Sequence, residues 1–106
     1  DKVNHDLIQG KWILSDVVYP MAIYDTLNID YSKEQTLLLF DGNKCIQYMP
    51  DLGDTIYFNF SIHDFELNLY QDSIKVSALE ITTLTSDSLK LIHGKNDRIY
   101  IRNRTQ

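Results

Sequence analysis

From Ile56 to Leu69 the chain alternates in hydrophobicity. Ile56, Phe58, Phe60 and Ile62 interleave with Tyr57, Asn59 and Ser61, and Leu67 and Leu69 resume the pattern beyond His63-Asp64. A period of two sends successive side chains to opposite faces of a strand. The two runs therefore predict neighbouring antiparallel strands joined by a tight turn at His63-Asp64, with one shared apolar face. Ile56, Phe58, Phe60, Leu67 and Leu69 are the expected centre of the core. On that reading Phe58→Ala costs about 3 to 5 kcal/mol.

Similar short segments, rich in Val, Ile, Thr, Tyr and Phe, recur along the chain. Strands are predicted near 11–19, 35–40, 44–49, 55–62, 65–71, 74–84, 88–93 and 98–104. Asp41-Gly42-Asn43, Pro50 to Asp54, Thr85-Ser86-Asp87 and Gly94 to Asp97 supply turn residues between them. Residues 20–34 are expected to form a long connection holding a helical turn or flap. In the sixth strand Ile74, Val76 and Ala78 share one phase while Leu79 and Ile81 share the other, which predicts a bulge. Asn4 is placed to cap a short helical turn that runs through Asp6, Leu7 and Ile8 and ends at Gly10. About eight antiparallel strands suit a closed up-and-down barrel, since closure removes both exposed sheet edges. The 106 residues are read as one all-β domain, 1–106, with the helical turn plugging one end.

Composition narrows the chemistry. The net charge of −5 argues against a nucleic-acid binder, which needs a basic face. The charge is uneven, because residues 90–106 carry +4, through Lys90, Lys95, Arg98, Arg102 and Arg104 against Asp97. A final strand with solvated or cross-paired arginines accounts for that better than a phosphate-binding strip. No apolar run approaches the roughly 18 residues of a membrane helix. Cys45 is the single cysteine and reads as a small core residue. His5, His63 and His93 lack the spacing of a zinc site, Asp41, Asp51 and Asp54 lack that of a calcium loop, and no nucleophile elbow or phosphate loop occurs. No metal, cofactor or catalytic residue is assigned, and the chain reads as non-enzymatic.

Leu7-Ile8-Gln9-Gly10-Lys11-Trp12-Ile13-Leu14 places Gly-x-Trp at the start of the first strand, after a helical turn. With Phe40-Asp41-Gly42-Asn43, Leu84 to Leu91 and the closing Tyr100-Ile101-Arg102, it resembles the short lipocalin-like domains that certain Gram-negative bacteria export, often as lipoproteins. The resemblance implies a barrel whose first-strand Trp closes the base, and an exported location, periplasmic or lipid-anchored. Any signal peptide or lipid-attachment cysteine would stand upstream of Asp1. Membrane contact would then run only through an anchor outside this chain. The chain is shorter than classical lipocalins, lacks their paired cysteines and has no room for the helix after the last strand. A more distant similarity links the same start, continued to Ser15, to small barrel inhibitors of bacterial metalloproteases, whose mobile N-terminus enters the enzyme cleft.

Two functional readings follow. The first is a barrel that takes a small apolar or amphipathic ligand at its mouth, lined by Trp12, Leu14, Leu38, Phe40, Phe58, Phe60, Leu67, Leu69 and Leu91. The second is a surface module for a protein partner, such as a protease inhibitor. For closure, the last strand is expected to pair with the first so that Arg102 lies over Trp12. The same index sum would set Asp16 opposite Arg98 and leave Ile99 and Ile101 outside.

Overall fold

Residues 2–18, 36–49, 53–94 and 96–103 are described by the computed structural model. The connection expected at 20–34 lies outside them, as do residues 50–52 of the following turn. A short helix, α1 (Lys2–Ile8), precedes eight strands: β1 (Gly10–Val18), β2 (Leu37–Asp41), β3 (Lys44–Met49), β4 (Asp54–His63), β5 (Glu66–Gln71), β6 (Ile74–Leu84), β7 (Ser88–His93) and β8 (Asn96–Arg102). Each strand pairs antiparallel with the next in sequence, and β8 returns to β1, closing the barrel. No helix among the described residues is long and apolar enough to cross a membrane.

Strand limits fall within two residues of expectation, and two differences change how a residue is assigned. β8 begins at Asn96, so Asn96 and Asp97 belong to the strand rather than the turn. Helix α1 begins at Lys2, which puts Asn4 inside it. Its side-chain amide donates to the Asp64 carbonyl at 3.0 Å instead of capping the helix.

Three bulges set which side chains face inward. In β1 the register with β8 slips between Leu14 and Asp16, so Trp12, Leu14 and then Val17 pack against the core. In β6 the pairing jumps from Leu69↔Ser77 to Tyr70↔Lys75, leaving Val76 as the extra residue, and slips again between Ile81 and Thr83. Val76 and Ile74 are exposed while Leu79 and Ile81 are buried, the change of phase that the sequence implied. Bulges of this kind bend and twist strands, which helps a small barrel close.

The core follows the alternation but is centred lower than expected. Phe60, Ile62, Leu67 and Leu69 are buried, whereas Ile56 and Phe58 are half-buried. β4 is the reason. Its first half pairs only with β3, and its pairing with β5 begins at Asn59, so Ile56 and Phe58 project toward the mouth. Phe40 meets Phe60 edge-on at 5.1 Å between centroids, and His5 of α1 stacks on Phe60 at 5.2 Å.

Helix α1 seals the base. The Gln9 side chain donates to the Gly42 carbonyl (2.9 Å) and accepts from the Gly42 amide (2.8 Å), and His5 Nε2 lies 3.1 Å from Asn43 Oδ1. At its C-terminus three successive carbonyls have partners. Arg102 Nη2 donates to Leu7 (2.7 Å), Trp12 Nε1 to Ile8 (2.8 Å) and Arg102 Nη1 to Gln9 (2.7 Å). Arg102 Nε also donates to the Ser86 carbonyl, and its guanidinium carbon sits 4.3 Å from the centroid of the fully buried Trp12. Trp12 and Arg102 are cross-strand partners, but Arg98 pairs with Val17 and Asp16 with Ile99. The expected Asp16–Arg98 pair therefore does not form, because the β1 bulge intervenes. Ile101 remains outside, 47% exposed.

Gly10 fits this node alone. Its φ is +115°, and a Cβ there would lie 2.7 Å from Arg102 Nη1. Gly10→Ala should destabilise by about 1 to 3 kcal/mol through backbone strain and displacement of Arg102. In an Arg102→Ala background the same change should cost at least 0.5 kcal/mol less, about the smallest coupling that a double-mutant cycle in urea resolves. Equal costs in both backgrounds would remove the steric link. In the core, Phe60→Ala should cost about 3 to 5 kcal/mol and half-buried Phe58→Ala roughly half that, read from unfolding midpoints at constant m.

Candidate functional site

The barrel is filled at the base and hollow above it. Among the described residues a cavity of about 290 Å³ lies within the ring of strands. Its apolar wall comes from Leu38, Phe58, Leu67, Leu69, Leu79 and Leu91. Gln47 of β3, Ser77 of β6, and Arg98 and Tyr100 of β8 add polar atoms, and Cys45 adds its thiol.

Five residues singled out in the sequence, Leu38, Phe58, Leu67, Leu69 and Leu91, thus stand on the cavity wall. Trp12, Leu14, Phe40 and Phe60 do not. They are buried and pack the core, so the aromatic bulk fills the base and leaves the upper lumen open. Apolar alternation does not mark Gln47, Ser77, Arg98 or Tyr100 as cavity residues, although the closure register already turns Tyr100 inward with Trp12. They occupy inward positions on their strands, yet a search for apolar phase passes over polar residues. The signal available was the parity of β8, where Arg98, Tyr100 and Arg102 share one phase.

The polar groups differ in setting. Burial pushes the Cys45 thiol from 9.0 up to about 12, so it stays protonated and unreactive at neutral pH. Burial also raises the pKa of Tyr100, against the opposing effect of the nearby Arg98 guanidinium. Among the described residues no carboxylate forms an ion pair with Arg98, and no acid stands on the cavity wall. His63 is exposed on the β4–β5 turn, 3.7 Å from Asp64. No three His, Cys, Asp or Glu among the described residues come together as a metal-holding group.

The eight-stranded closure with its basal helix has counterparts among solved structures. A lipocalin-like protein from Bacteroides uniformis superposes with a TM-score of 0.61 over 92% of this chain and 99% of its own, at 18% identity. The fold is that of a bacterial lipocalin-like barrel. An uncharacterized protein from Bacteroides eggerthii also reaches a TM-score of 0.61, over 90% of this chain and 98% of its own, at 14% identity. No family model matches the sequence, and no curated protein does. The lipocalin-like barrel is thus evident in backbone geometry at an identity too low to carry a function.

Burial of Cys45 and Tyr100 fixes the sign of an alkaline effect. Each keeps a proton in the folded state that the unfolded chain releases above about pH 9 for the thiol and pH 10 for the phenol. Stability should therefore fall with rising pH, starting near pH 9, by up to about 1.4 kcal/mol per pH unit for each group titrating only in the unfolded state. Replacing Cys45 with Val should flatten the first part of that slope in pH-dependent denaturation. At pH 8.5 the folded thiol should react with a disulfide reagent about 1,000-fold more slowly than the unfolded one, from thiolate fraction alone.

Proposed function

We propose that this chain is a non-catalytic lipocalin-like barrel that holds one small apolar or amphipathic ligand in the upper lumen. The cavity of about 290 Å³ carries the proposal. An eight-stranded barrel has room either for packed side chains or for one small ligand, and here the space above the aromatic base is open. Its volume lies at the lower edge of the range for small-molecule sites, and its wall is mainly leucine and phenylalanine with a few polar groups. The non-catalytic part of the reading is supported by the wall thiol, Cys45, being held protonated. Export, with any lipid anchor outside this chain, belongs to the same proposal and rests on the resemblance carried by the Gly10 and Trp12 segment.

The inhibitor reading needs an N-terminus free to enter an enzyme cleft. Asn4, His5 and Gln9 instead tie α1 to the β4–β5 and β2–β3 turns, which favours the lumen reading.

Titration of the full chain with a neutral lipophilic dye such as N-phenyl-1-naphthylamine tests the proposal. One saturable site per barrel is expected, emptied by competing small apolar molecules. Ser77→Phe, which projects a ring into the cavity, should weaken dye binding about tenfold or more, equivalent to about 1.4 kcal/mol. No saturable binding, or binding unaffected by Ser77→Phe in a folded variant, would sink the proposal.

A further inference from the structure

The lumen carries a positive charge that forms no ion pair among the described residues. Arg98 stands on the cavity wall, half-buried, two residues before Tyr100 and in the same phase of β8. Its cross-strand neighbours are Val17 and Leu91, both apolar. The nearest acid in the first strand, Asp16, is exposed, and its Oδ1 accepts a hydrogen bond from the Val17 amide at 2.8 Å. Among the described residues, a chain with net charge −5 thus sets a guanidinium with no facing carboxylate on an otherwise leucine-rich cavity wall.

Guanidinium groups satisfy themselves best with a planar anion that accepts two parallel N–H bonds. Arg98 carries five N–H donors, and the Tyr100 hydroxyl can also donate to an anion. Gln47 and Ser77 add further donors on the same wall. The leucines and Phe58 have no use for a charged or polar body. The combination fits a molecule with one anionic end and one apolar chain.

Volume limits the chain. An apolar cavity of about 150 Å³ accommodates benzene, about 25 Å³ per carbon. On that scale the 290 Å³ lumen takes about ten to twelve carbons. We propose, resting on the ligand-binding reading above, that the barrel binds a linear aliphatic monocarboxylate of about ten carbons, with Arg98 and Tyr100 holding the carboxylate and the leucine wall holding the chain.

Decanoate, 1-decanol and decylamine, matched in length, separate head from tail. Each is titrated into the full chain at pH 7.5 by competition with the neutral dye, below its aggregation concentration. Decanoate should bind at least tenfold more tightly than decanol, and decylamine more weakly than either. Arg98→Met should bring decanoate and decanol within about twofold of each other. Arg98→Lys, which keeps the charge but loses the fork, should retain part of the preference, as should Tyr100→Phe. Should Arg98→Met fail to fold, the ranking of the three ligands on the native chain and Arg98→Lys still decides the matter. Equal affinity for decanoate and decanol, or a decanoate preference that survives Arg98→Met, would overturn the carboxylate assignment while leaving lumen binding standing. Dye that binds nowhere would overturn both.

Discussion

The guanidinium of Arg102 is where the ends of this barrel meet. It lies over the Trp12 indole, and its nitrogens donate to the carbonyls of Leu7, Gln9 and Ser86. A seven-residue helix has little stability of its own, and its last carbonyls have no intrahelical donors. Arg102 and Trp12 supply those donors to three consecutive residues, so α1 is held by the strands it plugs. The stack on indole contributes about 0.5 to 2 kcal/mol. The larger effect is geometric, because β8, β1, α1 and the β6–β7 turn are positioned by one side chain.

The surrounding sequence is constrained by that node. Gly10 has a positive φ and lacks the Cβ that would displace Nη1, and Trp12 offers both a ring face and an N–H aimed at Ile8. Ile8, fully buried, is drawn into the base with Phe40 and Phe60. The aromatic mass is thereby concentrated at the sealed end, and the upper lumen is left to leucines and a few polar groups. A filled base and a hollow above it have one common origin.

Most of the strand order was legible because an antiparallel barrel wall needs a period of two, and Ile56 to Leu69 displays it openly. The bulge in β6 was legible for the same reason, since Leu79 and Ile81 break phase with Ile74 and Val76. The bulge in β1 was hidden. Trp12-Ile13-Leu14-Ser15-Asp16 reads as unbroken alternation with Asp16 in the phase of Trp12, and a constant index sum then sets Asp16 against Arg98. Helix limits were less visible too, because Asn4 serves equally as a cap or as a donor to a distant turn, and only tertiary packing selects the second.

The hidden bulge changes the electrostatics of the lumen. Without it, Asp16 would share the inward phase of Trp12 and Leu14 and face Arg98 across the strand pair. The extra residue turns Val17 inward and leaves Asp16 exposed, its carboxylate accepting from the Val17 amide at the bulge itself. Arg98 keeps its inward place on β8 with Val17 and Leu91 as neighbours. Burying a charge without a partner is costly, and an internal ion pair would have been available at the price of one straight strand. That the backbone instead moves the carboxylate out and keeps the guanidinium in gives the cavity wall, among the described residues, a charge of one sign. An anionic end group entering the lumen would supply the counter-charge that the bulge withdraws.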